Sequence, residues 1–368
     1  MTQFDSVYRG KRVLVTGHTG FKGSWLTLWL SQVGGEVTGL ALDPKPEAEK
    51  LFNIVCPRLT ADHRLDICDA AGVAEVVRSC RPDFVFHLAA QPLVIDSYRD
   101  PLTTVSTNVS GTANLLNAIR ENAPQANTVI VTTDKCYENC EWPYAYRETD
   151  HLGGHDIYAA SKAAAEIITA AFRRSFFETS DVPGKVATAR GGNVIGGGDY
   201  ADNRIVPDMV KALAKNEPVG VRNPHATRPW QHVLDCLSGY LTLGAWLSSD
   251  QADRENTLKR AFNFGPTSDC ERSVHDLVTK TLCHWPGSWE DQSTPGAVHE
   301  ASRLSIAIDL AASILKWSPS WDFSTTVERT VEWYRAESNG NSDSDLSDLM
   351  IAQIEAFNAQ NNPTGADS

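Results

Sequence analysis

The chain has 368 residues, of which 42% are hydrophobic and 21% charged, with a formal net charge of −13. That length and balance allow a large buried core and favour two lobes, and the acidic surplus excludes nucleic acid as the main partner, because phosphate backbones select basic surfaces. No apolar run is long enough for a bilayer and Met1–Lys11 has no apolar h-region, so a cytoplasmic protein is expected; the eight cysteines form no C-x-x-C pair, which points to reduced thiols and no metal site.

Arg12-Val13-Leu14-Val15-Thr16 reads as a buried parallel strand. It runs into Gly17-His18-Thr19-Gly20-Phe21-Lys22-Gly23, and a helix with Trp25, Leu26, Leu28, Trp29 and Leu30 follows. Strand, glycine turn and helix start make a phosphate-cradling unit, in which the backbone approaches a pyrophosphate lying on the positive end of the helix. Gly17, Thr19, Gly20, Phe21, Lys22 and Gly23 are therefore candidate cofactor ligands. A second strand is predicted over Glu36–Leu42. Asp43 follows it, either to bond the ribose hydroxyls of NAD or merely to open the Asp43-Pro44-Lys45-Pro46 turn; Lys45 leaves NADP open as well. Arg64-Leu65-Asp66-Ile67 reads as the end of a third strand, Asp69–Cys80 as a helix and Phe84–Leu88 as a fourth strand. The small residues that follow Leu88, in Ala89-Ala90-Gln91-Pro92, let a cofactor pass close to the backbone.

A long helix is predicted over Pro101–Asn122, with Asn108 inside it, and a fifth strand over Thr128–Thr132. Strand–helix alternation implies a doubly wound parallel sheet, a Rossmann-type α/β fold, whose ligands bind beyond the carboxyl ends of the strands. Thr133-Asp134-Lys135-Cys136-Tyr137-Glu138-Asn139 occupies that place after the fifth strand. Asp156 is the predicted cap of a helix in which Tyr158 and Lys162, four apart, share one face. A cation beside a phenol favours the phenolate, although spacing alone favours a surface pair.

Val186–Arg190 is the sixth strand. The glycine-dense loop Gly191–Asp199, then Arg204, Arg222 and Thr227-Arg228-Pro229-Trp230-Gln231-His232, suggests a smaller mixed α/β substrate lobe with basic and aromatic contacts. Leu234–Leu247 reads as an apolar helix returning to the first lobe, Phe262–Pro266 as a strand and turn, and 274–283, 309–315 and 325–335 as helices. The expected division is 1–190 for the dinucleotide, joined by 233–262, then 191–340 for the substrate and a polar, mobile tail over 341–368, with a docking turn or two around Leu346–Phe357.

Taken together, Gly17–Trp25, Thr133–Asn139, Asn193–Asp199 and Arg228–Val233 resemble the CDP-glucose 4,6-dehydratases of the extended short-chain dehydrogenase/reductase family. Asp134-Lys135 discriminates, since dTDP- and GDP-sugar dehydratases carry Asp-Glu or similar there. Ile157, Ala159 and Gly191 depart from the family pattern without removing a catalytic group. The resemblance implies NAD as cofactor and CDP-glucose or a related nucleotide sugar as substrate. It implies oxidation at C4, loss of water across C5–C6 and return of hydride to C6. Tyr158 with Lys162 is then the C4 base, Thr133 a hydrogen bond to the C4 oxygen, Lys135 a buried neutral base at C5, and Asp134 the acid for the C6 hydroxyl. Asp66 and Ile67 fall at the adenine, Leu88–Gln91 along the cofactor, and Asn193, Arg204, Arg228 and His232 at the substrate. A homodimer or homotetramer is implied, paired through the helices at 101–122 and 157–177. A 4-epimerase shares Tyr158, Lys162 and the glycine turn but has no use for Asp134-Lys135; a non-catalytic dinucleotide-binding protein has no use for the Tyr/Lys pair.

Overall fold

The computed structural model describes residues 4–178, 184–254, 260–293 and 304–361. Its centre is a sheet of seven parallel strands: β1 (Arg12–Thr16), β2 (Glu36–Ala41), β3 (Ala61–Arg64), β4 (Phe84–His87), β5 (Asn127–Thr132), β6 (Val186–Arg190) and β7 (Ala261–Asn263). The spatial order is β7-β6-β5-β4-β1-β2-β3. Helices cover both faces, so β1, β4 and β6 are buried along nearly their whole length and read as continuous apolar runs instead of alternating ones. The chain steps outward from β1 to β3 and returns to place β4 beside β1, pairing Val13 with Phe84 and Thr16 with His87. Strand order therefore reverses between β1 and β4, and the crevice beyond their carboxyl ends is where such sheets bind ligands.

Helix α1 (Phe21–Gln32) starts at the extended Gly20 with no side-chain cap, which leaves its first-turn N–H groups for a ligand. Helix α2 (Ala70–Cys80) is capped by Asp69. The predicted helix over 101–122 forms as Pro101–Val105, a wide π turn over Ser106–Ser110, and α3 (Gly111–Asn122). Helix α4 (Ile157–Phe172) is capped as expected: Asp156 accepts from Ala159 N at 2.8 Å. A second wide turn, Arg173–Phe177, extends α4. β3 ends at Arg64, short of the predicted strand end, so Asp66 and Ile67 already lie in the loop beyond the sheet.

Past β6, α5 (Ile205–Ala214), α6 (Val233–Leu247), α7 (Val274–His284) and α8 (Phe323–Ser338) alternate with three small strand pairs. These are 194–195 with 231–232, 227–229 with 271–273, and 219–221 with 289–291. Helix α6 lies against β5 and β6.

The C-terminal segment corrects the expectation of a mobile tail and extends the docking turn expected around Leu346–Phe357. Residues Asp343–Asn361 form one long helix, α9, that buries Leu346, Met350, Ile354 and Phe357. Spacings of four, four and three put those side chains on one stripe, which the polar composition around them masked. Phe357 packs edge-on against Trp29 of α1 at 5.6 Å and Trp321 at 5.3 Å. Residues 362–368 lie outside the described residues. Phe357→Ala should cost about 3–5 kcal/mol, read as a lower urea midpoint with an unchanged slope. An unchanged midpoint would mean that α9 does not share the core.

Candidate active site

The glycine turn is built for close approach. Gly17 has φ +73°, and a Cβ there would lie 2.6 Å from Ala89 N and 2.8 Å from the Leu88 carbonyl carbon. A Cβ at Gly23 would sit 2.1 Å from the Gly17 oxygen. The turn thus nests against the loop after β4, and the uncapped start of α1 faces the same crevice, a cradle that fits a dinucleotide pyrophosphate. Thr19 is tied inward through its hydroxyl to the Leu42 carbonyl at 3.2 Å. Lys22 turns toward the far end of the crevice, where its ammonium donates to Tyr240 OH at 3.3 Å. Asp43 is exposed just past β2, with Arg64 Nε 3.8 Å from its carboxylate. Lys45 pairs instead with Asp96 at 3.9 Å. Asp66 is exposed past β3 and accepts from Cys68 N, while Ile67 is buried against Gly111.

A buried relay holds the β4 loop. Thr112 donates its hydroxyl proton to the Asn108 carbonyl at 2.8 Å, so it accepts from His87 Nε2 at 3.0 Å. His87 Nδ1 then accepts from Thr16 Oγ1 at 2.7 Å, and Thr16 accepts from Ala89 N at 3.2 Å. Full burial pushes His87 down to about 3, which keeps it neutral in this tautomer. Asn108, in the π turn, grips both sides: its Oδ1 accepts from Gln91 N at 2.8 Å and its Nδ2 donates to the Gln91 carbonyl at 3.1 Å and to Ser161 Oγ on α4 at 2.8 Å. Wide helical turns often mark functional sites; this one locks Leu88–Gln91 to the helix that carries Tyr158.

Thr133, Asp134 and Tyr158 are brought together beyond β5. All three are buried. Thr133 Oγ1 donates to Asp134 Oδ1 at 2.9 Å, and Asn193 Nδ2 donates to Asp134 Oδ2 at 3.0 Å. A Cβ at Gly192 would lie 2.2 Å from that carboxylate, so glycine there is what admits Asp134. The Tyr158 phenol stands beside Thr133, Asp134 and Arg204. Burial pushes it up to about 12; the Thr133 hydrogen bond opposes this, Asp134 adds to it and Arg204 opposes it. That reverses the direction expected from a Tyr/Lys pair alone. Lys162 instead donates to the Val131 carbonyl at 2.9 Å, and burial, reinforced by the charge of Lys22, lowers it to about 8. Lys135 is exposed, so the burial expected around it is absent.

On the opposite wall Arg204, 41% exposed at its side chain, pairs with buried Asp199 at 2.8 Å. Arg228 is half-buried and donates to the Thr227 carbonyl at 2.8 Å. His232 is a correction. It is fully buried, its ring 4.6 Å from Trp321 and 6.2 Å from Trp25, and its Nδ1 accepts from Leu234 N to cap α6. Burial pushes it down to about 3. Its contacts are with the interior of the lobe, which it supports. Sequence reading also missed Gly192, Tyr240 and the buried pair of Glu166 with Arg190, 2.8 Å apart. Gly192 carries a signal in the glycine-dense loop; the other three owe their place to pairings distant in sequence. Among the described residues no group of His, Cys, Asp and Glu could hold a metal ion, and no helix is long and apolar enough to cross a membrane.

The family described as GDP-mannose 4,6 dehydratase matches residues 14–330. The chain belongs to that family. It is 41% identical over 358 residues to the CDP-glucose 4,6-dehydratase of Salmonella typhimurium, covering 94% of this chain and 98% of that one. Two solved structures share the fold at TM-score 0.72. One is the dTDP-glucose 4,6-dehydratase of Bacillus anthracis in complex with NAD, 20% identical and covering 89% of this chain and 97% of that one. The other is the UDP-glucose 4-epimerase of Thermus thermophilus in complex with NAD, 26% identical and covering 88% and 99%. The doubly wound sheet of this dehydratase-family chain is the one its sequence pattern implies.

Lys162 is buried at a cost in stability. Its folded value lies below the ordinary 10.5, so the fold disfavours the ammonium. The penalty is present in full below pH 8 and fades as pH rises toward 10.5. At pH 7 it amounts to about 3 kcal/mol, against which the bond to Val131 returns about 1. Lys162→Met should therefore raise the melting temperature at pH 7 while abolishing turnover, and the gain should shrink toward pH 10. A lower melting temperature at pH 7 would contradict this electrostatic account.

Proposed function

We propose that this chain is a nucleotide-sugar dehydratase that converts CDP-glucose to CDP-4-keto-6-deoxyglucose and water. The observation that carries the reading is Asp134, buried between Thr133 and Asn193 near the Tyr158 phenol, with the exposed Lys135 next to it in the chain. The 41% identity to the Salmonella enzyme over nearly the whole chain supports the substrate.

The cofactor is NAD. Gly17, Thr19, Gly20, Phe21, Lys22 and Gly23 would hold its pyrophosphate, Asp43 a ribose, Asp66 and Ile67 the adenine, and Leu88, Ala89, Ala90 and Gln91 its path across the crevice. When bound it supplies the redox chemistry at C4 and C6. Tyr158 takes the C4 hydroxyl proton. Burial opposes the phenolate and Arg204 favours it; Lys162, one turn further along the same helix, would add its charge. Thr133 hydrogen-bonds the C4 oxygen. A C4 ketone acidifies C5–H, and Lys135 removes that proton; because the side chain is exposed, the bound sugar itself must desolvate it. Asp134, held on one oxygen by Thr133 and on the other by Asn193, enters this step as the carboxylic acid and gives its proton to the leaving C6 hydroxyl, which departs as water; Lys135 then returns its proton to C5, and the proton that Tyr158 took from the C4 hydroxyl restores the acid. Arg204 and Arg228 would meet the diphosphate. The dinucleotide is assigned to 1–190 with 233–262, and the sugar to 191–340.

A homodimer, alone or paired into a tetramer, forms through the helical segments at 101–122 and 157–177. They leave Leu102 80% and Ile167 56% exposed, alongside Val105 and Phe176. Eight free thiols suit a reducing, cytoplasmic setting.

A panel of CDP-, dTDP-, GDP- and UDP-glucose should give a 4-keto-6-deoxy product with CDP-glucose foremost; an epimer without a keto group would establish the 4-epimerase instead. Lys135→Ala should block solvent deuterium entry at C5 while bound NADH still forms, and Tyr158→Phe should prevent NADH formation. Normal exchange in the first variant, or normal oxidation in the second, would remove that residue from its role. Ile167→Arg should halve the mass seen by light scattering, whereas an unchanged mass would place the interface elsewhere.

A further inference from the structure

We infer that Tyr137 is a positioning residue whose buried hydroxyl couples the Asp134–Lys135 segment to α4, and so governs elimination separately from oxidation. The inference rests on the dehydratase reading above. Tyr137 lies two residues past Lys135, and its ring is 2% exposed. Its hydroxyl donates to Asn263 Oδ1 at 2.7 Å and accepts from Arg190 Nη1 at 2.8 Å. Arg190 Nη2 in turn donates to Glu166 Oε2 at 2.8 Å. Glu166 is one helical turn past Lys162 and two past Tyr158. Two hydrogen bonds through Arg190 therefore link the segment that bears the proposed elimination acid and base to the helix that carries the oxidation base, and a third ties the same hydroxyl to β7.

The same partners hold the far side of the loop. Asn263 Nδ2 donates to the carbonyls of Tyr146 and Ala307, and Asn263 N donates to Glu148 Oε1. Arg190 Nη1 also donates to the Glu148 carbonyl at 3.2 Å. Tyr137 stacks on Tyr146 at 5.2 Å, and Tyr146 on Trp142 at 5.3 Å. Tyr137 thus pins a loop of about one dozen residues at its start, while its partners pin the end.

The seat of α4 does not pass through this hydroxyl. Glu166 keeps its bonds from Thr132 at 2.5 Å and Thr188 at 2.8 Å, and Lys162 keeps Val131. Loss of the hydroxyl leaves Tyr158 and Lys162 in place and loosens the segment bearing Asp134 and Lys135 on one side. Misplacement of reacting groups by about an ångström costs up to about a hundredfold in rate, so the two half-reactions should separate.

The test is Tyr137→Phe, which keeps the ring stack, followed through one turnover of CDP-glucose in deuterated water. Bound NADH should form within about twofold of the wild-type rate, while C5 deuterium entry and keto product fall by about tenfold or more, so that NADH accumulates. Asn263→Ser, which removes the acceptor of the same hydroxyl, should give the same split and serves if the phenylalanine variant does not purify. Glu166→Gln should slow NADH formation first, with elimination following in proportion. Equal losses in both steps for Tyr137→Phe and Asn263→Ser, or no loss, would overturn the inference. A wild-type protein that forms neither NADH nor keto product would overturn the dehydratase reading instead.

Discussion

The seat of α4 on the carboxyl ends of β5 and β6 is the constraint on which the site depends. One face of that helix carries Tyr158, Lys162 and Glu166 at successive turns. Each is fixed from a different direction: the phenol by Thr133 and the cationic wall, the ammonium by the Val131 carbonyl, the carboxylate by Thr132, Thr188 and Arg190. Glu166 and Arg190 are both nearly inaccessible. Breaking such a pair from one side strands a charge in the interior, at about 3–5 kcal/mol. The helix is therefore held by interactions that are hard to loosen singly, which suits a residue that must meet a sugar hydroxyl at hydrogen-bond distance.

Burial imposes an electrostatic problem that the protein solves in part. It raises the phenol and lowers the ammonium, so the fold opposes both charged forms. Lys22 adds to the strain on Lys162 by placing a second cation at the same end of the crevice. A positively charged dinucleotide and an anionic nucleotide sugar alter this balance in opposite senses. The titration of the site is thus a property of the complex, and the free protein stores some of the cost as lost stability.

What could be read in the sequence was local. The glycine turn and the Asp156 cap each depend on residues within a turn or two and form as expected; Tyr158 and Lys162 share a helix as their spacing requires, but Lys162 bonds to the Val131 carbonyl and the phenol is raised instead of lowered. The strand–helix alternation gave the sheet, because a parallel strand buried on both faces leaves a continuous apolar run. His232 was misjudged because its sequence neighbours are polar and aromatic, while its spatial neighbours are Trp25 and Trp321, far away along the chain. Lys135 was expected in the interior and is exposed, since its predecessor Asp134 takes the inward place that Gly192 opens. Of the C-terminal helix only a docking turn or two around Leu346–Phe357 was legible, because its polar composition masked the length: four apolar side chains on one stripe outweigh the polar residues between them once Trp29 and Trp321 offer a surface. The Glu166–Arg190–Tyr137–Asn263 chain joins α4, β6, the loop after β5 and β7, and no spacing rule could have gathered it.

In the proposed cycle one bound dinucleotide both oxidises C4 and reduces C6 of the same sugar, and the residues around Asp134 and Lys135 expel water between the two steps. CDP-glucose carrying deuterium at C4 separates this cycle from its rivals, with the product examined by proton NMR and mass spectrometry. The deuterium should appear at C6 of the keto sugar, without dilution by solvent. Deuterium retained at C4 of an epimer, or lost to water, would rule the cycle out.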